Sequence, residues 1–313
     1  MNNNCSIENQ IKYVCNCEYE YFLNKANVVG VGLGYKLKNG FYTNQLCIKV
    51  LVSKKISDNE LNPQDSIPSV YKGISTDVIS TGTFKTNSLT SKIRPVVGGY
   101  VIGNNFDKEF SGTIGCLVTD VHNYYVLSCN HVLANNNSAP LGTKILQPSF
   151  DFKGDLRDTI AILSKFVPIK FIKGTKVPVN YADCAIAKVT DKFLISSKIA
   201  LVGEMEGMSF PRLNQEVKKV GCTTGLTTGT VNTVNATVQI ECSGVEKEAI
   251  FKEQIITTKM STEGDSGAIL LDKSNKALGL VMSSTDTHST SNAIAYVLRE
   301  LKVHLVTNSS VSN

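Results

Sequence analysis

Beyond residue 96 the chain falls into short apolar runs separated by Gly, Asn, Asp and Pro. Runs at 115–121, 124–128, 182–189, 216–221, 229–234, 268–271 and 277–281 have strand length and are bounded by turn residues. That pattern predicts an all-β barrel or sandwich. Residues 292–305 break it: Ile294, Leu298, Leu301 and Leu305 share one stripe, which predicts a late helix. The first 92 residues have another texture. Ser6, Glu8 and Asn9 can start a helix over residues 7–25, with Ile7, Ile11, Val14 and Phe22 at partial helical spacing. Strands are expected at 27–35, where Gly30, Gly32 and Gly34 alternate, and at 46–52 and 76–82, with a turn at Lys38-Asn39-Gly40. This reads as a small α/β or α+β extension, residues 1–92, ending in a polar linker at 83–92 and followed by a main domain, 93–313. Residues 308–313 form a polar tail, and no internal repeat is visible.

Composition narrows the class. With 42% hydrophobic and 19% charged residues, the 313-residue chain can build an ordinary core. The net charge of +5 is modest and its Lys and Arg are scattered, so nucleic acid is not an expected partner. No apolar run reaches the ~18 residues of a membrane helix, and no membrane association is expected. The polar start shows no secretory signal. Nine cysteines without framework spacing then read as reduced thiols in a cytoplasm, with export by another route left open.

The chemistry concentrates at two places. Gly264-Asp265-Ser266-Gly267-Ala268 places a serine between glycines; Ser128-Cys129-Asn130-His131-Val132-Leu133-Ala134 places a histidine where a strand end turns into a short helical segment. A serine hydroxyl becomes a nucleophile when an imidazole takes its proton, and a buried carboxylate must orient that imidazole. Asp183, an isolated charge in Tyr181-Ala182-Asp183-Cys184-Ala185-Ile186-Ala187, is the expected third member. Asp191 competes but lies in a turn-like setting, and His122, His288 and His304 lack the context of His131. The N–H groups of Gly264 and Ser266 are the expected oxyanion donors. Taken alone, each element also fits a plain turn, a half-buried imidazole or a surface-facing strand residue. Gly225 to Gly229 reads as a glycine-rich β-hairpin, since it lacks the Gly-Lys-Ser/Thr of a nucleotide loop.

In their order His131, Asp183, Ser266, these elements resemble the trypsin/chymotrypsin-like serine peptidases, specifically the bacterial ones. Further stretches carry the resemblance to a subgroup: Asn27 to Lys36, Arg94-Pro95 with Gly98-Gly99, Gly112-Thr113-Ile114-Gly115, Ile145-Leu146-Gln147-Pro148, and Val220 to Gly229. The resemblance implies a mainly β, chymotrypsin-like fold: two orthogonal six-stranded barrels, split near 190–215, with the N-terminal α/β extension and a C-terminal helix added. It implies a serine endopeptidase acting on peptide or protein substrates without a cofactor or metal. The subgroup suggests Arg where this chain has Cys222. The specificity pocket would be floored by Met260 with Ser261 and walled by Met282, Ser283 and Ser284, which suits a small or apolar side chain.

Three control features follow from the same reading. Asp265 should pair with backbone or a buried cation, and a new N-terminus freed near Val96 is one conceivable cation. Cys116 is expected as a core thiol rather than half of a disulfide. Cys5, Cys15 and Cys17 lack a fourth metal ligand, and Asp151, Asp155 and Asp158 resemble a calcium loop only weakly. The rival functions are a catalytically silent peptide-binding module of the same fold and a peptidase that cleaves a single target, such as its own chain. Oligomeric state and physiological substrate are not legible.

Overall fold

The computed structural model describes residues 3–38, 40–57, 60–83, 88–242 and 246–307; Asn39 of the expected turn, residues 84–87 of the expected linker and the polar tail lie outside them. The chain divides into two compact units, residues 1–87 and 88–313.

In the first unit the expected single helix is two, Asn3–Cys17 and Tyr19–Leu23, separated by Glu18 at φ −124° and ψ 14°. Ile11, Val14 and Phe22 are buried on one face of a mixed sheet against Ile48, Val50 and Ile74. Strands Val28–Lys38 and Phe41–Val52 form a long antiparallel pair, and Phe41–Val52 also runs parallel to Ile74–Ser80. Of the alternating glycines, Gly34 has a steric reason, whereas Gly32 faces open space. A Cβ on Gly34 would stand 2.7 Å from Lys49 Cγ, so the bare strand lets the Lys49 stem lie across it and reach Asp77 at 2.5 Å.

The second unit is almost entirely antiparallel β. One sheet holds eight strands in the order His304–Leu305, Cys116–Thr119, Tyr124–Ser128, Ala185–Val189, Thr159–Phe166, Lys144–Leu146, Val101–Asn104, Ser111–Thr113. The other runs Val179–Asn180, Lys247–Thr258, Gly225–Cys242, Glu216–Gly221, Ile269–Asp272, Ala277–Ser284, His288–Ala293. Pairing of Lys247–Thr258 with His288–Ala293 closes six of these seven strands into a barrel. The mainly β, two-barrel architecture is therefore present, with short edge pairings such as Val179–Asn180 and His304–Leu305 added to it. Leu127, Val126, Ile145 and Ile160 of the first sheet belong to one large buried cluster, and Val217, Val231, Ile255 and Leu270 form a second within the other sheet.

One element differs from expectation. The late helix spans only Ile294–Leu301. Asn292 is held in the ladder opposite Leu280, and Lys302 at φ +59° ends the helix. There the Val303 N–H reaches back to Leu298 O and the Lys302 N–H to Arg299 O, the bonding of a left-handed C-terminal cap. Gly225 to Gly229 belongs to the return strand of a hairpin whose turn is at 222–224, within an 18-residue strand.

Leu127→Ala removes a fully buried side chain from the first sheet. It is expected to cost about 2–5 kcal/mol, read as a lower urea midpoint of the second unit.

Candidate active site

The loop that carries Ser266, the candidate nucleophile, is shaped by two glycines in the left-handed region. Gly264 sits at φ +89° and Gly267 at φ +96°. A Cβ on Gly264 would collide with Thr223 Oγ1, and one on Gly267 with Ser128 Oγ and the Thr113 carbonyl. Between them, Ser266 O accepts from the Thr113 N–H at 2.8 Å, and Gly264 O accepts from Thr113 Oγ1 at 2.7 Å. Thr113 thus ties the loop to the first sheet. Among the described residues neither the Gly264 nor the Ser266 N–H has an acceptor, which leaves both free for a ligand oxygen.

Asp265 points the other way, into the protein, and is fully buried. Its Oδ1 accepts from the N–H groups of Thr223 and Thr224 at 3.1 Å each. Its Oδ2 accepts from Thr224 Oγ1 at 2.7 Å, the Thr262 N–H at 3.0 Å and Lys219 Nζ at 3.1 Å. Lys219 is fully buried as well. Burial pushes the Lys219 ammonium down from its ordinary range, and Asp265 opposes that shift. The buried cation opposite Asp265 is therefore Lys219, while Val96 is paired with Ile195 in a short parallel ladder. In the place where the subgroup suggests Arg, Cys222 gives its N–H to Thr113 Oγ1 and its thiol to Gly264 O at 3.1 Å.

His131 lies on the short helix Asn130–Leu133 that follows strand Tyr124–Ser128. Asn130, fully buried, holds the turn by donating to Asn137 Oδ1 and Val167 O at 2.8 Å each. His131 Nδ1 is hydrogen-bonded to Asp183 Oδ2, and the His131 N–H donates to Asp183 Oδ1 at 3.2 Å. With its proton on Nδ1, a neutral imidazole presents Nε2 as a base. Asp183 is not within a strand as expected: Ala185–Val189 begins two residues later, and Asp183 occupies the connection before it. Phe110 meets the His131 ring edge-on at a centroid separation of 6.0 Å.

His131, Asp183, Gly264 and Ser266 line one cavity of about 520 Å³. Ser266 Oγ donates to the Met282 carbonyl at 2.9 Å, and among the described residues no hydrogen bond joins it to His131. Met282, Ser283 and Ser284 line the cavity as expected, but Met260 and Ser261 do not. Met260 packs in the second barrel's core beside Val217, Val231 and Leu278, and Ser261 Oγ donates to Ser289 Oγ at 2.7 Å. Strand Lys247–Thr258 continues into them and carries both inward. Glu241, Cys242, Phe251 and Glu263, none of them anticipated, line the cavity instead.

The remaining expectations resolve simply. The eight described cysteines are free thiols, Cys116 being a buried core residue, and the side chain of Cys5 lies outside the described residues. Asp151 accepts from Ser111, Asp155 pairs with Arg157, and Asp158 pairs with Lys92 and Arg94. Cys129, His131 and Asp183 offer ligand atoms within 4.8 Å of one another, but the His131–Asp183 bond engages the facing atoms and the Cys129 thiol donates to Val281 O.

Lys219 had a readable signal. In Glu216–Gly221 the period-two face that carries Val217 also carries Lys219, which marks an inward cation.

Residues 97–305 match the family model described as Trypsin. The chain belongs to the trypsin family. Its structure is similar to that of Nocardiopsis protease, at 15% identity and a TM-score of 0.50 over 68% of this chain and 99% of that one. It is also similar to Thermobifida fusca protease A, at 19% identity and a TM-score of 0.49 over 68% and 99%. No curated protein matches the chain. Trypsin-family membership makes peptides and proteins the substrate class.

Lys219→Met leaves the Asp265 carboxylate buried without its cation. The expected loss is about 3–5 kcal/mol of stability, and Lys219→Met/Asp265→Asn should recover part of it in urea denaturation.

Proposed function

We propose that the protein is a serine endopeptidase. The observation that carries this reading is the meeting, in one cavity, of a serine, a histidine aimed by a buried carboxylate, and two unpartnered backbone N–H groups beside the serine. Ser266 Oγ leaves the Met282 carbonyl, gives its proton to His131 Nε2 and attacks the scissile carbonyl. The oxyanion settles on the Gly264 and Ser266 N–H groups; each such donor is worth ~2.7–4 kcal/mol in the transition state. His131 then protonates the leaving amine, and a water, activated by the same base, hydrolyses the acyl-enzyme. Asp183 stabilises the imidazolium throughout. The cycle needs no cofactor.

The residue before the scissile bond is proposed to be small or apolar, now on different grounds. Met282, Cys242 and Phe251 are the buried apolar members of the cavity lining, beside buried Asn136 and Asp183. Glu241 and Glu263 are exposed members, and among the described residues neither has an ion partner, while no Lys or Arg lines the cavity. Their field favours a basic residue at a neighbouring substrate position.

The bond from Ser266 Oγ to Met282 O favours one alternative, a silent peptide-binding module whose serine never turns toward His131. A fluorophosphonate probe separates the two. Wild type should be labelled, Ser266→Ala should not, and Asp183→Asn should label and turn over ~10⁴-fold more slowly. A folded wild type that resists the probe supports the silent module. In a peptide library, small or apolar residues should dominate before the cleaved bond, with Lys and Arg enriched over Asp and Glu beside it. That enrichment should fade in Glu241→Gln/Glu263→Gln; cleavage dominated by Lys or Arg at the bond itself would refute the pocket assignment.

A further inference from the structure

Asn292 is fully buried in strand His288–Ala293 of the second barrel, where its backbone pairs with Leu280 on one side and Gln254 on the other. Its side chain leaves that barrel. Oδ1 accepts the Asp183 N–H at 2.9 Å, and Nδ2 donates to the Asp183 carbonyl at 3.2 Å and to Leu280 O at 3.3 Å. One carboxamide therefore satisfies both backbone groups of Asp183, as a neighbouring strand would. Asp183 needs this, because the preceding strand ends at Asn180 and the next begins at Ala185. A buried amide kept in place by three hydrogen bonds is costly to misplace. The neighbouring Gln254 is also fully buried, and its Nε2 donates to Tyr181 O at 3.1 Å. Two facing amides of the second barrel thus hold the segment that carries the acid of the first.

We infer that Asn292 is a positioning residue of the catalytic centre: it fixes the main chain of Asp183 so that the carboxylate meets both the ring and the N–H of His131. The barrel that carries Ser266 thereby also sets the aim of the His131–Asp183 pair. This rests on the peptidase reading, and it deepens it by naming what couples the two halves of the site. The carboxylate makes its two bonds to one residue, His131. A swing of Asp183 about its backbone would therefore loosen both together. A misplacement of about 1 Å in a catalytic constellation costs ~10²-fold in rate.

The test uses the full chain with Asn292→Leu, near in size, and Asn292→Ser, smaller and polar, should the leucine variant fail to fold. The expected result in a folded variant is a kcat lowered about 10- to 100-fold with KM within about threefold. The acid limb of the kcat/KM profile should move to lower pH, since a less closely held carboxylate stabilises the imidazolium less. A merely structural residue would lower the melting temperature and leave that limb in place. The second readout does not need turnover. Proton NMR of the wild type should show a strongly deshielded His131 Nδ1 proton, and this signal should weaken or move upfield in the variant. A folded variant with wild-type kcat, acid limb and Nδ1 proton would overturn the inference. Failure of the wild type to react with the fluorophosphonate would instead overturn the peptidase reading, while the NMR comparison would still decide the role of Asn292.

Discussion

A carboxylate cannot be taken out of water beside a nucleophile unless something answers its charge, and at Asp265 the answer organises the whole loop. Asp265 and Lys219 are both fully buried, and the carboxylate also collects the N–H groups of Thr262, Thr223 and Thr224 and the Thr224 hydroxyl. With both oxygens engaged, the chain from 262 to 265 has little freedom. Gly221 belongs to the same arrangement, since a Cβ there would collide with the Asp265 carboxylate. On the far side Thr113 grips the Gly264 and Ser266 carbonyls. Pinned from both sides, the loop turns its Gly264 and Ser266 carbonyls to Thr113, and among the described residues the Gly264 and Ser266 N–H groups have no acceptor. The two N–H groups proposed as oxyanion donors are in this sense a product of where the buried charge had to go.

The histidine half is built with fewer charges and more amides. Asn130 closes the turn beneath His131, and Asn292 closes the backbone beneath Asp183. The Asp183 charge also acts on three buried thiols. Burial raises Cys129 and Cys184 well above the ordinary thiol range, and the Asp183 charge adds to both shifts. Cys242, lining the cavity, is pushed up to about 11 by burial first and Asp183 second. All three therefore stay protonated near neutral pH. They add no second anion to compete for the imidazolium and no thiolate to compete with Ser266.

Ser266, His131 and Asp183 were legible because each carries a local signature: glycines at positive φ, a strand end running into a short helix, a lone charge in an apolar stretch. The two-barrel fold was legible for a similar reason, since turn residues punctuate nearly every strand. Partners distant in sequence were not. Asn292 lies 109 positions from Asp183 and sits inside what the apolar stripe marks as a helix. Only ladder pairing with Leu280 and Gln254 reveals it as a strand residue. Met260 misled by spacing: counting back from Ser266 reaches the barrel core, because Met260 and Ser261 turn inward after strand Lys247–Thr258.

The resting position of the Ser266 hydroxyl is the feature that sets the peptidase and silent-module readings against each other, and magnitudes weigh it. A neutral hydrogen bond such as that from Ser266 Oγ to Met282 O has a net worth of ~0.5–1.5 kcal/mol. Giving it up would slow the reaction by no more than about tenfold. Enzymes lower their barriers by ~8–23 kcal/mol, so a single hydroxyl turn is a small entry in that total. Catalytic hydrogen bonds are also commonly loose before substrate arrives and tighten with it bound. Met282 can assist this change. Its carbonyl holds the resting hydroxyl, and the same residue lines the cavity, so a ligand seated there would lie against the group that holds Ser266 Oγ. A turned hydroxyl costs the peptidase little. A silent module, by contrast, leaves unexplained why Asp265, Thr113 and Asn292 hold three separated residues around one cavity.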